Sequence, residues 1–205
     1  MSAAAAPRPR LILASGSPRR AEILTALGIP FEIDVPGVPE TIEPGEPAEG
    51  AAARLAAEKA AEVSARRPGR WVLAADTLVV VGDDILGKPI DSDDARRMLR
   101  RLAGRGHLVV TGVRLRRGAD PGRGIVERSR VAIAPMSDEE ISWYVATREP
   151  MDKAGAYAVQ GLGARFIEAV EGSYTNVMGL PARGVYRLVR EAPDPALAAL
   201  ALSCP

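Results

Sequence analysis

The chain alternates between short, continuous apolar runs and longer stretches in which helix-forming residues dominate. Short apolar runs between turn residues predict strands at residues 10–14, 31–35, 71–81, 108–115, 125–134 and 165–169. Alanine-rich or capped stretches predict helices at residues 18–27, 48–67, 92–102, 137–147 and from 185 onward. Because strands and helices intermix without strict alternation, we predict an α/β protein with a mixed sheet and flanking helices.

The first strand is followed by a tight turn of serine and glycine and then by a helix. Ser17 suits the N-cap of that helix, Pro18 its first position and Gly28 its end. Ser92 is expected to cap a later helix in the same way. Residues 85–90 follow a glycine turn and are expected to return beside the preceding strand as a β-hairpin.

The remaining stretches predict the domain limits. Residues 1–9 are rich in alanine and proline and are expected to form a disordered arm. Residues 36–47 are predicted to be an exposed loop, and residues 149–180 a glycine-rich, irregular segment. We expect one catalytic domain over residues 10–191, with residues 192–205 as a tail.

Composition excludes several classes of protein. The 205 residues carry a net charge of +1, which excludes nucleic-acid binding driven by bulk charge. Cys204 and His107 are the single cysteine and the single histidine, so a disulfide framework, a cysteine-based zinc site and a histidine-dependent triad are excluded. No run of 18 apolar residues predicts a membrane span. We expect a cytoplasmic enzyme.

Two arginines occupy an unfavourable position. Arg19 and Arg20 fall in the first turn of the first helix, where the helix dipole disfavours cations. Together with the hydroxyls of Ser15 and Ser17 and the backbone amides of the turn, they could receive a phosphate or a carboxylate. The alternative is two solvated arginines on a surface helix.

An acidic residue interrupts the longest apolar run. Asp76 lies inside WVLAADTLVVV, where an unpaired carboxylate would cost several kcal/mol through desolvation. It therefore requires a cation, a metal ion or a position facing a cleft. The alternative is a structural carboxylate that accepts backbone N–H bonds at a strand bend.

A lysine lies on a helix face that should pack inward. Leu55, Lys59 and Val63 are spaced four residues apart and share one face. The alternative is that the Lys59 side chain extends along the alanine-rich surface with its ammonium group in water. Lys88 in LGKP and Glu40 in the acidic loop carry weaker signals on their own. Gln160 lies beside glycines that would let a ligand approach the backbone, although in isolation the pattern favours a plain irregular turn.

These residue types favour phosphate chemistry. A set of arginines and lysines around one or two carboxylates suits a polyphosphate substrate with a divalent ion, because charge neutralisation carries most of the catalysis of phosphoryl transfer. Mg²⁺ needs only one or two protein carboxylates when substrate phosphates supply the other ligands.

Six strings, in order along most of the chain, resemble the Maf-like nucleotide pyrophosphatases, or septum-formation-inhibitor proteins. They are LILASGSPRR, RLAAEKA, AADTLVV, LGKP, DKAGAYAVQGLGARFI and EGSYTNVMGLP. The resemblance implies an elongated α/β fold with a cleft between two lobes, similar to the inosine-triphosphate pyrophosphatases. It also implies a homodimer and a divalent cation (Mg²⁺ or Mn²⁺). The balanced charge and the lack of a long apolar run, by contrast, are the reasons to expect no nucleic-acid or membrane partner.

The resemblance implies hydrolysis of a nucleoside triphosphate to the monophosphate and pyrophosphate, with a possible link to arrested cell division. Asp76 would activate water or bind the metal, and Glu40 would assist it. Lys59, Lys88 and Arg20 would hold phosphates, and Ser15 and Ser17, in the turn just before Arg20, would contribute to the same phosphate site.

Base choice is implied by three further residues. Arg19, Thr77 and Gln160 resemble the branch specific for dTTP and UTP. Two alternatives stay open: a related enzyme acting on 7-methyl-GTP, and a nucleotide-binding division regulator with little turnover.

Overall fold

The computed structural model describes residues 11–202, so the predicted arm at residues 1–9 lies outside the described residues. The strands are β1 Leu11–Ala14, β2 Phe31–Ile33, β3 Trp71–Val81, β4 Asp84–Leu86, β5 Arg105–Arg117, β6 Arg123–Ile133 and β7 Ile167–Glu171. The α-helices are α1 Pro18–Ala26, α2 Ala48–Arg66, α3 Ser92–Leu102, α4 Asp138–Ala146, α5 Tyr174–Val177, α6 Ala182–Arg190 and α7 Pro195–Leu200. Short 3₁₀ helices form at Glu149–Asp152, Ala154–Ala156 and Gly161–Phe166.

The strands form one seven-stranded mixed sheet. Its order is β2-β1-β3-β5-β6-β7, and β4 pairs with the end of β3. The strands β2, β1 and β3 run parallel, whereas β5, β6, β7 and β4 pair antiparallel with their neighbours. The predicted α/β class with a mixed sheet and flanking helices is confirmed.

Strand β3 packs against two different hydrophobic clusters on one face of the sheet. Leu73 and Ala75 belong to a cluster with β1, α1, α6 and α7. Val79 and Val81 belong to a cluster with α3 and α4. Thr77 lies between the two pairs, so a polar residue marks the point where one cluster gives way to the other.

Helix α2 covers the opposite face of β3. Val72 and Ala74 pack with β1 and α2, and Leu78 packs with the first turns of α2 and with β5. Asp76 is the residue between them on this face and is only 4% exposed. Both faces of β3 are therefore polar at its centre and apolar on either side.

A glycine lets α2 lie close to the sheet. Gly112 is opposite Asp76 in the register of β3 and β5. A Cβ atom on Gly112 would lie 2.3 Å from the carbonyl oxygen of Ala52 on α2. The close approach of α2 therefore depends on the missing side chain at this position.

Some element boundaries differ from the predictions. The N-cap of α3 is Asp91, whose carboxylate accepts a 2.8 Å hydrogen bond from the Asp94 N–H, so the prediction of Ser92 as the cap was wrong by one residue. Either residue type can cap a helix, but the backbone of Asp91 is extended, as an N-cap requires, whereas Ser92 is already the first helical residue. Strand β7 begins two residues later than predicted, because Arg165 belongs to a 3₁₀ turn.

The predicted hairpin and the predicted C-terminal tail also differ from the structure. The hairpin return is paired only over β4, and Pro89 lacks the N–H that further pairing would need. The segment predicted as a tail contains α7, whose Leu197 is fully buried in the cluster around α1 and α6. Between residues 11 and 202, no helix is long and apolar enough to cross a membrane.

We expect Gly112→Ala to lower the free energy of unfolding by about 1–3 kcal/mol, because the new methyl group would force α2 away from β5. Urea denaturation measures this change. Gly50→Ala is the matched control, since Gly50 is an exposed residue of the same helix and alanine there should preserve or raise stability. Equal stability of wild type and Gly112→Ala would contradict the packing argument.

Candidate active site

The residues singled out from the sequence line one cleft. It has a volume of about 460 Å³ and opens where β3 turns polar, between the turn before α1, the loop before α2 and the segment after the 3₁₀ turns. The predicted residues on its wall are Ser15, Ser17, Arg19, Arg20, Glu40, Lys59, Asp76, Thr77, Lys88 and Gln160.

A row of alternating charges crosses the cleft. The ammonium of Lys59 donates a hydrogen bond to Asp76 Oδ1 and a second one, 2.5 Å long, to Glu40 Oε1. Lys88 donates to Glu40 Oε2 at 2.9 Å. Lys59 is 4% exposed, so it does not extend into water along the surface of α2. Lys59 and Asp76, whose burial the sequence showed to be costly, are thus partners of each other.

The two carboxylates of this row differ in pKa. Burial raises the pKa of Asp76, and the nearby charges of Lys59 and Arg20 only partly offset it. Burial would also raise the pKa of Glu40, but its hydrogen bonds to Lys59 and Lys88 outweigh that effect and hold it at about 2. Glu40 is therefore firmly ionised, whereas Asp76 is the carboxylate whose charge responds to its surroundings.

Arg20 is held by uncharged oxygens. Its Nε donates to the carbonyl of Gly179 at 2.8 Å, and its terminal nitrogens donate to Ser15 Oγ at 3.1 Å and Thr77 Oγ1 at 3.2 Å. Burial lowers the pKa of Arg20, but a guanidinium stays protonated in proteins. A partly buried positive charge whose hydrogen-bond acceptors are neutral is suited to receive an anion.

The turn before α1 differs from the predicted cap. Ser17 has the N-cap position, but its side chain makes no capping hydrogen bond. Ser15 Oγ instead accepts the Ser17 N–H at 3.2 Å and also accepts from Arg20. The turn therefore presents the hydroxyl of Ser17 and the first amides of α1 at the cleft wall.

Arg19 reaches across the cleft to a residue that the sequence did not single out. It donates to Asp152 Oδ2 at 3.4 Å, and Lys153 donates to Asp152 Oδ1 at 2.5 Å. Asp152 and Lys153 both line the cleft. The only signal for them in the sequence was their place in the DKAG string, because charged pairs are common on surfaces.

Gln160 directly precedes a turn whose backbone is fixed by a glycine and by a carboxylate. Gly161 follows it with a φ of +67°, a conformation that favours glycine. The carboxylate of Glu149 accepts hydrogen bonds of 2.9 Å from the backbone N–H groups of Leu162 and Gly163. Glu149 thereby fixes the backbone that presents Gln160 to the cleft.

The donor set for a metal ion is small. Within residues 11–202, no group of three or more histidine, cysteine, aspartate or glutamate side chains could hold a metal ion. Asp76 and Glu40 do converge, since both accept hydrogen bonds from the same Lys59 ammonium. Two carboxylates fit an ion that takes its other ligands from substrate phosphates and water, and not an ion held by protein alone.

A cleft that places several cations around one buried carboxylate is typical of proteins that bind phosphate-bearing ligands. The family model described as "Maf-like protein" matches residues 10–192. The chain belongs to this family, which confirms the resemblance found in the sequence motifs.

Curated relatives are similar over most of the chain. A protein of Anaeromyxobacter sp. (strain Fw109-5), named dTTP/UTP pyrophosphatase, is 50% identical over 192 residues, covering 91% of each chain. A Symbiobacterium thermophilum protein of the same name is 53% identical over 173 residues, covering 84% of this chain and 88% of its own. A solved HAM1 protein from Coxiella burnetii is 17% identical, with a TM-score of 0.42 over 94% of this chain and 93% of its own, a likeness that carries no further weight.

We expect Asp76→Asn to change how stability depends on pH. The folded-state pKa of Asp76 is raised above its ordinary value of 3.8, so the folded protein binds this proton more tightly than the unfolded chain. The stability that protonated Asp76 contributes is therefore fully present below its ordinary pKa of 3.8. It is lost as pH rises through the raised pKa of the folded protein. Glu40 stays ionised through this window because its pKa is about 2.

Urea denaturation of wild type and Asp76→Asn from about pH 4 to about pH 7 measures the effect. The stability of wild type relative to the variant should decline as pH rises. Asp93→Asn is the control, because the Asp93 side chain is 92% exposed and solvent screens its charge. A relative stability of wild type that grew with pH would contradict the assignment.

Proposed function

We propose that this protein hydrolyses dTTP and UTP to the nucleoside monophosphate and pyrophosphate. The observation that carries the proposal is the buried Asp76, paired with Lys59 and facing a cleft that also contains Arg20 and Lys88. The names of relatives about 50% identical over most of the chain support the choice of reaction and substrate.

The cations of the cleft would bind the triphosphate. Arg20 offers a partly buried guanidinium next to the amides of the turn before α1, which suits a phosphate. Lys88 is 56% exposed at its side chain and bonds only to Glu40 among the described residues, so it can turn toward a second phosphate. Spreading positive charge along the chain of phosphates stabilises the charge that builds on the leaving group.

Asp76 would act on the attacking water. A water oxygen bonds to one phosphorus of the α–β anhydride while the bond from that phosphorus to the bridging oxygen breaks, so that the bridging oxygen leaves with the other phosphorus and the products are the nucleoside monophosphate and pyrophosphate. The water proton passes to Asp76, whose raised pKa makes it a better base than an exposed aspartate. Lys59 keeps the carboxylate oriented through its hydrogen bond.

Asp76 and Glu40 would hold the proposed divalent cation, Mg²⁺ or Mn²⁺. They are two carboxylates beside the phosphate cradle, which fits an ion completed by substrate phosphates and water. Such an ion supplies charge neutralisation at the phosphate oxygens. The protein contributes the position of the two carboxylates, which Lys59 holds together.

Arg19 and Gln160 would select a pyrimidine base, whereas Thr77, whose hydroxyl bonds to Arg20 and Thr111, would act on the phosphates through Arg20. Gln160 offers an amide with both donor and acceptor groups at the cleft wall, on a backbone fixed by Glu149. Arg19 is oriented by Asp152 across the cleft. A site built to pair with one base edge rejects bases that leave its groups unpaired.

We further propose a cytoplasmic homodimer. Ile33, the last residue of the edge strand β2, and Val35, which follows that strand, are 53% and 57% exposed and offer an apolar surface for a second copy. The balanced charge of the chain supports the absence of nucleic-acid partners, which stays a prediction.

Pyrophosphate release from dTTP and UTP tests the reaction. Asp76→Asn should lower kcat by about 10²–10⁴-fold, because the variant keeps the shape of the site and loses the base. Glu58→Gln is the matched control, since Glu58 is next to Lys59 in α2 and bonds to Arg54 outside the cleft. Tight binding of dTTP by wild type without turnover would instead favour the nucleotide-binding regulator.

Exchange of Gln160 tests the base specificity. Gln160→Ala should reduce the ratio of kcat/KM for dTTP to that for 7-methyl-GTP by about tenfold, the value of one lost hydrogen bond pair. Leu162→Ala, in the same segment, is the control because Leu162 lies outside the cleft lining. A wild-type preference for 7-methyl-GTP would overturn the proposed substrate and keep the reaction class.

A further inference from the structure

A chain of hydroxyl groups leads from Arg20 into the interior. Thr77 on β3 and Thr111 on β5 are opposite each other in the sheet register, and their Oγ1 atoms are 3.0 Å apart. Arg20 donates to Thr77 Oγ1 at 3.2 Å. Thr111 Oγ1 lies 3.2 Å from the carbonyl oxygen of Asn176, to which it donates. These contacts connect the guanidinium to a group that does not line the cleft.

Proton counting gives this chain one direction. A hydroxyl has a single proton to donate and can accept two hydrogen bonds. Thr111 uses its proton on the Asn176 carbonyl, so in the contact between the threonines it accepts and Thr77 donates. Thr77 can then accept from Arg20, and the competing acceptor for its proton, Gly179 O, is farther away at 3.4 Å.

A second path returns from the same carbonyl to Arg20. The Asn176 carbonyl also accepts the Gly179 N–H at 2.9 Å, and the Gly179 carbonyl accepts from Arg20 Nε at 2.8 Å. The φ of Gly179 is +106°, which a residue with a side chain rarely adopts. Both paths run from the guanidinium as donor to the Asn176 carbonyl as acceptor and together close a ring, and hydrogen bonds linked in this way polarise one another.

The ring is anchored in the sheet. The side-chain amide of Asn176 donates to the carbonyl of Val109 at 3.1 Å and to Ser129 Oγ at 3.0 Å. Asn176 and Thr111 are both 0% exposed. The far end of this network, at Thr111 and Asn176, is therefore fixed by groups outside the cleft lining.

We propose that Thr111 is a positioning residue, which orients the Arg20 guanidinium toward the phosphates through the hydroxyl of Thr77. The proposal rests on the proposed function in one respect, that the ligand of Arg20 is a phosphate chain. Without the Thr111 hydroxyl, Thr77 has no partner on β5 and its proton turns to Gly179, the second support of the same guanidinium. The charge of Arg20 and its bonds to Gly179 and Ser15 remain, but Thr77, the third group that orients the guanidinium, is no longer held in place.

This role has a signature that differs from base selection and from fold stability. Arg20 would contact phosphates, which dTTP, UTP and free pyrophosphate share. A change at Thr111 should therefore weaken all of these ligands by the same factor. A base-reading role would change the ratio between nucleotides, and a purely structural role would lower the melting temperature and leave the affinity of the folded protein unchanged.

Pyrophosphate binding by the full chain, measured by calorimetry, tests the proposal without requiring turnover. Thr111→Val keeps the shape of the side chain and removes the hydroxyl, and we expect the Kd for pyrophosphate and the KM for dTTP and UTP to rise by about 3- to 10-fold each. Thr111→Ser should restore wild-type binding. In an Arg20→Lys background, which lacks the forked guanidinium, Thr111→Val should have no further effect.

Three results would overturn the proposal: unchanged binding by Thr111→Val, an altered preference between nucleotides, or an equal effect in the Arg20→Lys background. Thermal unfolding checks that each variant is folded, and Thr111→Ala replaces Thr111→Val if valine prevents folding. If wild type binds pyrophosphate but does not hydrolyse dTTP, the proposed function fails while the positioning test still gives its answer.

Discussion

The site depends on one buried ion pair, between Lys59 on α2 and Asp76 on β3. Each charge alone would cost several kcal/mol in this environment, and removal of either partner from such a pair typically costs about 3–5 kcal/mol. The pair can form only because α2 lies close to the sheet, where Gly112 leaves room for the backbone of Ala52. The packing of one helix thus places an acid, and with it Glu40 and Lys88, in the cleft.

The centre of β3 explains why the cleft lies where it does. Asp76 points to the face covered by α2, and Thr77 points to the other face, between two separate hydrophobic clusters. Neither polar side chain could be accommodated inside a cluster without a partner. The cleft therefore opens at the gap between the two clusters. Asp76 and Thr77, on opposite faces of β3, both line it.

The cations of the cleft fall into two kinds. Lys59 and Lys88 are already neutralised by carboxylates, so they organise the acids as much as they attract an anion. Arg20 keeps a full charge among the neutral oxygens of Gly179, Ser15 and Thr77. In the proposed reaction this division would separate the chemistry at Asp76 from anion binding at the helix N-terminus, and the charges of Lys59 and Arg20 act on Asp76 from both parts.

Much of the fold and most of the cleft residues could be predicted from the sequence, because burying Asp76 or Lys59 and placing Arg20 at a helix N-terminus has a local cost that a reader of the chain can see. The order of strands, the partner of each charge and the roles of Asp152 and Asn176 could not be predicted in this way. A surface aspartate and a buried asparagine carry no distinctive local pattern, and their contacts join residues more than 60 positions apart. Local chemistry indicates which residues need a partner, whereas the pairing itself is decided by long-range packing of α2, β3 and β5, which brings those residues within hydrogen-bond distance.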